Sequence, residues 1–129
     1  MQNNFKNIEF LKQITTYDYE SFLKLPPMIP FSEEITDYLN ALSKEINKDP
    51  SSQKFPDVRA FSFFCRKANL LLLKKKYYDS GITKLGRGLV FHIAPSNVPV
   101  NFAFSLMASL LSGNSNIVRV SSKKFDQSE

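Results

Sequence analysis

Apolar residues recur at helical spacing in the first eighty residues, between segments that proline interrupts. Residues 1–24 alternate weakly between apolar and polar groups and predict at most a short helix. The prolines at 26, 27 and 30 then break regular structure, because proline lacks a backbone donor and restricts the residue before it. Ser32, followed by two glutamates, is typical of a helix start. The apolar stripe of that helix consists of Ile35, Leu39, Leu42 and Ile46, and Asp49-Pro50 marks its end.

A second and longer helix is predicted from about Asp57 to Tyr78. Its expected buried stripe consists of Val58, Phe61, Cys65, Ala68 and Leu72. The lysine run 74–76 lies near the negative end of this helix, where we interpret it as a solvated group that matches the helix dipole. Gly81 is placed to terminate the helix.

After Gly81 the pattern changes to short apolar runs. Gly88–Ala94 is almost continuously apolar and predicts a strand buried on both faces of a parallel sheet. Residues 100–111 are apolar almost all round and predict a largely buried helix, and residues 117–120 predict a second strand. The sequence therefore predicts an α/β fold with a right-handed βαβ unit. Because two strands and one helix cannot cover themselves, we expect the α/β part to be truncated.

Two polar segments follow the predicted strands, at the edge where open parallel sheets bind ligands. The first, residues 94–99, has prolines on both sides of Asn97, whose amide could donate a hydrogen bond to developing negative charge. The alternative is that Asn97 caps the helix that follows, and both roles remain open. The second segment is residues 120–124.

Composition narrows the function further. The net charge is +5, but the basic clusters at 74–76 and around Lys123-Lys124, which includes Arg119, are not interleaved with aromatic residues, so we expect no nucleic-acid partner. A single cysteine excludes an internal disulfide, and one histidine with one cysteine makes a structural zinc site unexpected. The N-terminus does not have the pattern of a secretory signal, and no apolar run approaches the roughly 18 residues of a membrane span. We therefore expect a cytoplasmic protein without a membrane span.

Three motifs in the second half form a specific combination. They are G-L-V-F-H-I-A-P-S-N-V-P at 88–99, L-L-S-G-N at 110–114 and V-R-V-S-S-K at 118–123. With them, the stretch 85–127 resembles the LuxC acyl-CoA reductases of the aldehyde dehydrogenase superfamily. The superfamily pattern Pro-Trp-Asn-Phe-Pro is present with serine for tryptophan, and Gly-Asn-x-x-x-x-Lys is present with Arg119 for lysine. Residues 1–80 fit that family's helical leader only loosely.

The resemblance implies roles for individual residues. Asn97 matches the asparagine that helps to form the oxyanion hole, and Arg119 matches the lysine that contacts the adenosine ribose. Ser122 stands where NAD-preferring relatives often have glutamate. Without that carboxylate, Arg119 and Lys123 can bind a ribose 2′-phosphate, which indicates NADP(H) as cofactor. The backbone expected along the nicotinamide cofactor is that of Ile93, Ala94, Pro95 and Ser96.

The resemblance also implies a domain division and an activity. Residues 1–80 would be a helical N-terminal region, and residues 81–129 the start of a Rossmann-like NAD(P)-binding domain. The chain would be a fragment of an NADPH-dependent reductase that converts long-chain fatty acyl-CoA to aldehyde through a cysteine thioester. The nucleophilic cysteine would lie in a later domain, so this fragment alone is expected to be inactive. An acyl-protein synthetase or transferase is the further partner that the family suggests, and a homo-oligomer is compatible with it.

Two residues of reactive type receive structural interpretations. Cys65 lies on a predicted apolar stripe without a charged activating partner, so we interpret it as a core residue. His92 lies within a predicted buried strand, where a hydrogen-bonded core histidine is favoured over a base. Two alternative functions remain. One is a reductase of another activated acyl group, such as an acyl phosphate, and the other is a non-catalytic binding remnant of the fold.

Overall fold

The computed structural model of the chain describes residues 21, 23–78, 81–95 and 97–120. The short helix predicted within residues 1–24 lies largely outside this part of the chain. The elements in chain order are α1 (Glu33–Lys48), a 3-10 helix (Pro50–Lys54), α2 (Pro56–Phe64), α3 (Lys67–Tyr77), β1 (Leu89–Ile93), α4 (Asn101–Leu111) and β2 (Ser115–Arg119). Among the described residues, no helix has the length and apolar character needed to cross a membrane.

The first helix, α1, begins and ends where the sequence predicts. The Ser32 hydroxyl accepts a hydrogen bond from the Ile35 amide at 3.4 Å, and two glutamates occupy the first turn. At the other end the Asp49 carboxylate accepts from the Ser51 amide at 2.9 Å and so begins the 3-10 helix. Leu39, at the centre of the predicted stripe, is fully buried. The start, the end and the buried face predicted for α1 are confirmed.

The prediction of a single helix over 57–78 is wrong, because two helices, α2 and α3, occupy this stretch with a break between Phe64 and Lys67. The break is stabilised by contacts that helical periodicity does not contain. The Lys67 amide donates to the Asn40 side chain of α1 at 3.0 Å, and the Asn69 side chain donates to the Phe64 carbonyl at 2.8 Å. The break changes the buried face of α3, so that Leu70 is buried and Leu72 is 66% exposed.

One hydrophobic core joins the helical region to the α/β part. Its buried members are Leu39, Phe61, Cys65, Leu70, Val100, Met107 and Leu111. The last three lie in or next to α4, which therefore packs on the helices as well as on the sheet. The edges of the Phe61 and Phe64 rings meet Phe104 at centroid distances of 5.3 and 5.7 Å, an arrangement that aromatic pairs favour.

The strands β1 and β2 are parallel and adjacent, with Leu89 opposite Ser115 and Ile93 opposite Arg119. The predicted α/β class and the order strand, helix, strand are confirmed. The predicted burial of the first strand on both faces is wrong for the part of the chain described here. The face opposite α4 leaves Phe91 58% and Ile93 70% exposed, because no described element packs on it.

Two glycines and one extended segment meet in a close backbone contact before the strands begin. The Met28 amide donates to the Gly113 carbonyl at 2.8 Å, and the Gly86 amide donates to the Met28 carbonyl at 3.0 Å. A Cβ on Gly113 would lie 2.1 Å from the Met28 oxygen, and Gly113 also has a φ of 80°. Glycine is required here both for the backbone conformation and for the approach of the neighbouring chain. We call this contact the glycine clasp.

Gly113→Ala is expected to lower the free energy of unfolding by about 3 kcal/mol, since it combines a positive φ with a steric overlap against backbone. Gly88→Ala is the matched control, because Gly88 also has a positive φ, 104°, but no atom within 4 Å of an added Cβ. The control should cost only about 1–2 kcal/mol. Urea titration of both variants measures the difference, and equal losses would contradict the importance of the clasp.

Candidate functional site

The carboxyl ends of the two strands bring two predicted site residues together. Ile93 and Arg119 are register partners, the last pair of the sheet, and both side chains are exposed. Ala94, half-buried, and Pro95, exposed, continue from β1. No carboxylate pairs with Arg119 among the described residues. Ser96, Ser122 and Lys123 lie outside the described residues, so their predicted roles stay predictions.

Asn97 lies in the turn between β1 and α4, and its side chain is exposed. The helix begins four residues later, with Val100 as its N-cap residue and no side-chain cap. The Asn101 amide instead donates to the Val98 carbonyl at 3.3 Å. The interpretation of Asn97 as the cap of this helix is therefore wrong. The Asn97 side-chain amide has no hydrogen-bond partner among the described residues.

The histidine of β1 is held by two side chains. His92 Nδ1 lies 2.7 Å from the Ser105 hydroxyl of α4, and His92 Nε2 lies 2.9 Å from Asn116 Oδ1 of β2. The Asn116 NH2 group donates to the Asn114 carbonyl at 2.7 Å, which fixes Oδ1 towards the imidazole. Nε2 is therefore the donor to Asn116, and in the neutral imidazole Nδ1 accepts from the serine hydroxyl. The hydrogen-bonded histidine predicted from the sequence is confirmed.

A family model described as acyl-CoA reductase (LuxC) matches residues 5–127. The chain belongs to the LuxC acyl-CoA reductase family. The match covers the motifs at 88–123 and extends through the helical region, where the sequence pattern fits the family only loosely. Comparison with curated proteins and with solved structures found no match.

In this LuxC chain the network of His92, Ser105 and Asn116 joins three elements directly below the candidate site. It fixes α4 against β1 and β2, and the turn with Asn97 connects β1 to α4. The position of the Asn97 turn therefore depends on these bonds. Sequence reasoning did not identify Ser105 or Asn116, because a lone serine in an apolar helix and a lone asparagine at a strand have no distinctive spacing.

The one cysteine of the LuxC chain lies in the core, away from the sheet edge. Cys65 is fully buried between α2 and α3, and its thiol donates to the Met107 sulfur at 3.6 Å. Burial raises the pKa of the Cys65 thiol to about 11, so the thiolate is scarce at neutral pH. Nucleophilic attack and acyl transfer require a thiolate. The predicted core role of Cys65 is confirmed.

This thiol makes a pH-dependent contribution to stability. Because burial raises the pKa of Cys65 from 9.0 to about 11, the folded chain holds the proton more tightly than the unfolded chain. The contribution is present in full below pH 9 and is lost as the pH rises through 11, a change of about 3 kcal/mol. Urea titrations at pH 8 and pH 11 should show this loss. The same measurement on Cys65→Ala is the control for the titration of lysines and tyrosines in this pH range. An equal loss of stability in that variant would show that the thiol of Cys65 is not its cause.

Proposed function

We propose that this chain forms the start of the cofactor-binding region of a reductase that converts fatty acyl-CoA to aldehyde with NADPH. The family supports the acyl-CoA substrate and the reductive chemistry. The observation that supports the cofactor site is the pair Ile93 and Arg119, since a guanidinium with no ion-pair partner among the described residues lies beside the loop that leaves β1. Ligands of open parallel sheets bind at this edge.

The residues present fit a cofactor that has a phosphate at its adenosine end. Arg119 offers several donors in a planar array that suits a phosphate, and it is exposed. In the proposed region, residues 81–129, Ser122 and Lys123 complete the 2′-phosphate site. Exposed apolar surface at Ile93, together with the backbone of Ala94, Pro95 and Ser96, would lie along the rest of the cofactor.

The reaction consumes acyl-CoA, NADPH and a proton and releases aldehyde, CoA and NADP⁺. NADPH supplies the hydride. In this proposal the Asn97 amide donates a hydrogen bond to the carbonyl oxygen of the acyl group, on which negative charge develops as the thiolate and then the hydride attack. The His92 network keeps the Asn97 turn in position. The thiolate that accepts the acyl group comes from residues other than these 129, because Cys65 is buried and protonated.

The test is aldehyde formation from a long-chain acyl-CoA and NADPH. We expect no aldehyde from the 129 residues alone, and turnover from the complete enzyme of which they are part. Cys65→Ser in the complete enzyme should keep kcat per folded enzyme nearly unchanged, because the thiol takes no part in acyl transfer. Turnover by the 129 residues that Cys65→Ser abolishes would overturn the assignment, as would a complete enzyme that reduces acyl phosphate but not acyl-CoA.

A further inference from the structure

A second concave site lies at the opposite end of the sheet, where the strands begin. It is a cavity of about 420 Å³, bounded by the residues before β1, the residues before β2 and the end of α3. The lining residues that matter here are Phe31, Tyr77, Tyr78, Lys84, Arg87 and Asn114. This cavity is separated from the Asn97 turn by the length of β1, five residues or about 17 Å.

The cavity is positively charged and has no acidic residue in its lining. Lys84 Nζ lies 3.4 Å from the Tyr77 carbonyl, and Lys74 Nζ lies 3.3 Å from the Phe31 carbonyl. Both ammonium groups therefore meet neutral oxygens, and in the described part of the chain neither lysine nor Arg87 forms an ion pair. The negative end of the α3 dipole offsets only part of this charge.

Hydrogen bonds to the backbone hold the walls of the cavity. The Arg87 amide donates to the Asn114 side chain at 2.6 Å, and the adjacent glycine clasp holds Gly86 against Met28 and Gly113. Tyr77 and Tyr78 line the cavity, and each ring has a lysine ammonium over one face, Lys76 over Tyr77 at 5.1 Å and Lys74 over Tyr78 at 5.7 Å. The two hydroxyls have no hydrogen-bond partner among the described residues. A cavity lined by two cations, Lys84 and Arg87, and by two phenols is suited to a phosphate attached to an aromatic base.

We propose that this cavity binds a phosphate monoester on a nucleoside, and that in the enzyme this group is the 3′-phosphate end of CoA. The identification of CoA rests on the proposed function. CoA separates its phosphoadenosine from its thioester by a long flexible arm, so the phosphate can lie at the amino end of the strands while the acyl group reaches the Asn97 turn. The Lys84 ammonium and the Arg87 guanidinium then bind the 3′-phosphate, and a tyrosine ring packs against the adenine.

Calorimetric titration of the complete enzyme with CoA and with 3′-dephospho-CoA, without acyl group or NADPH, tests the site independently of turnover. We expect removal of the 3′-phosphate to raise Kd about tenfold or more. Lys84→Gln and Arg87→Gln should each raise the Kd of CoA about tenfold and leave that of dephospho-CoA unchanged. Lys44→Gln, which alters an exposed lysine on α1 outside the cavity, is the matched control and should change neither.

Equal affinity for the two ligands, or variants that weaken both equally, would overturn the proposal. Inorganic phosphate should compete with CoA only at far higher concentration. If it competes well while dephospho-CoA binds like CoA, the cavity is a free-phosphate site and the assignment to CoA is wrong. NADPH should bind normally to Lys84→Gln, since its proposed site is at the other edge. A complete enzyme that binds CoA more tightly than dephospho-CoA but has no reductase activity would contradict the proposed function. The assignment of the cavity to the 3′-phosphate would still stand.

Discussion

Replacing Asn97 by alanine in the complete enzyme is expected to lower kcat about 10²–10³-fold while KM for acyl-CoA changes little. An oxyanion donor acts mainly when charge develops on the carbonyl oxygen, so its removal raises the barrier more than it weakens substrate binding. The side chain is exposed and does not cap α4, so its loss should leave the free energy of unfolding nearly unchanged. Steady-state kinetics and urea titration of the same variant measure both quantities.

Asn101→Ala is the matched control, because it removes the same amide from an exposed position one turn further along. Asn101→Ala should change kcat by less than about threefold if the effect of Asn97→Ala comes from the position of that amide and not from the loss of any exposed amide. A variant Asn97→Ala with unchanged kcat per folded enzyme would remove Asn97 from the proposed oxyanion site. A loss of about 1 kcal/mol in stability together with unchanged kcat is the result typical of a helix cap.

The sequence predicted the elements whose causes are local. The start of α1 follows from a hydroxyl and two acids next to each other, and the order of β1, α4 and β2 follows from apolar runs separated by turn residues. The break between α2 and α3 was missed because its stabilising hydrogen bonds come from two side chains. Asn40 on α1 accepts from the Lys67 amide, and Asn69 donates to the Phe64 carbonyl before the break. Such tertiary contacts can end a helix even where the helical spacing of apolar residues in the sequence continues.

In the candidate site, too, some features could be predicted from the sequence and others depend on tertiary contacts. The carboxyl edge of the sheet follows from topology, which the sequence predicted, whereas the pairing of Ile93 with Arg119 depends on the strand register, which it did not predict. The separation of Asn97 from the helix start depends on the geometry of one turn, so the sequence left two roles open and the structure excluded the cap. The partners of His92 could not be predicted, because they depend on the register of β1 with β2 and on the rotation of α4.

The complete enzyme is expected to prefer NADPH over NADH by about 10²-fold or more in kcat/KM. Arg119 is exposed at the end of β2 without an ion-pair partner among the described residues, and Lys123 follows four residues later. In the proposed site a ribose 2′-phosphate would gain charge-assisted hydrogen bonds from these groups, each worth roughly 1.5–3 kcal/mol. NADH has only a hydroxyl at that position, and in the proposed site Ser122 would stand where NAD-preferring relatives often have the glutamate that accepts a hydrogen bond from it.

Three variants separate this explanation from a general effect of positive charge. Ser122→Glu should narrow or reverse the preference for NADPH by repelling the 2′-phosphate. Arg119→Gln should weaken the binding of NADPH about tenfold or more and the binding of NADH much less. Arg59→Gln, which removes an exposed arginine of α2, should leave the ratio unchanged. Because charge-assisted contacts at an exposed site are screened by salt, the preference should also decrease between 50 mM and 500 mM salt. Equal kcat/KM for both cofactors in the wild type, unaffected by Ser122→Glu, would mean that Arg119 is a solvated charge at the sheet edge.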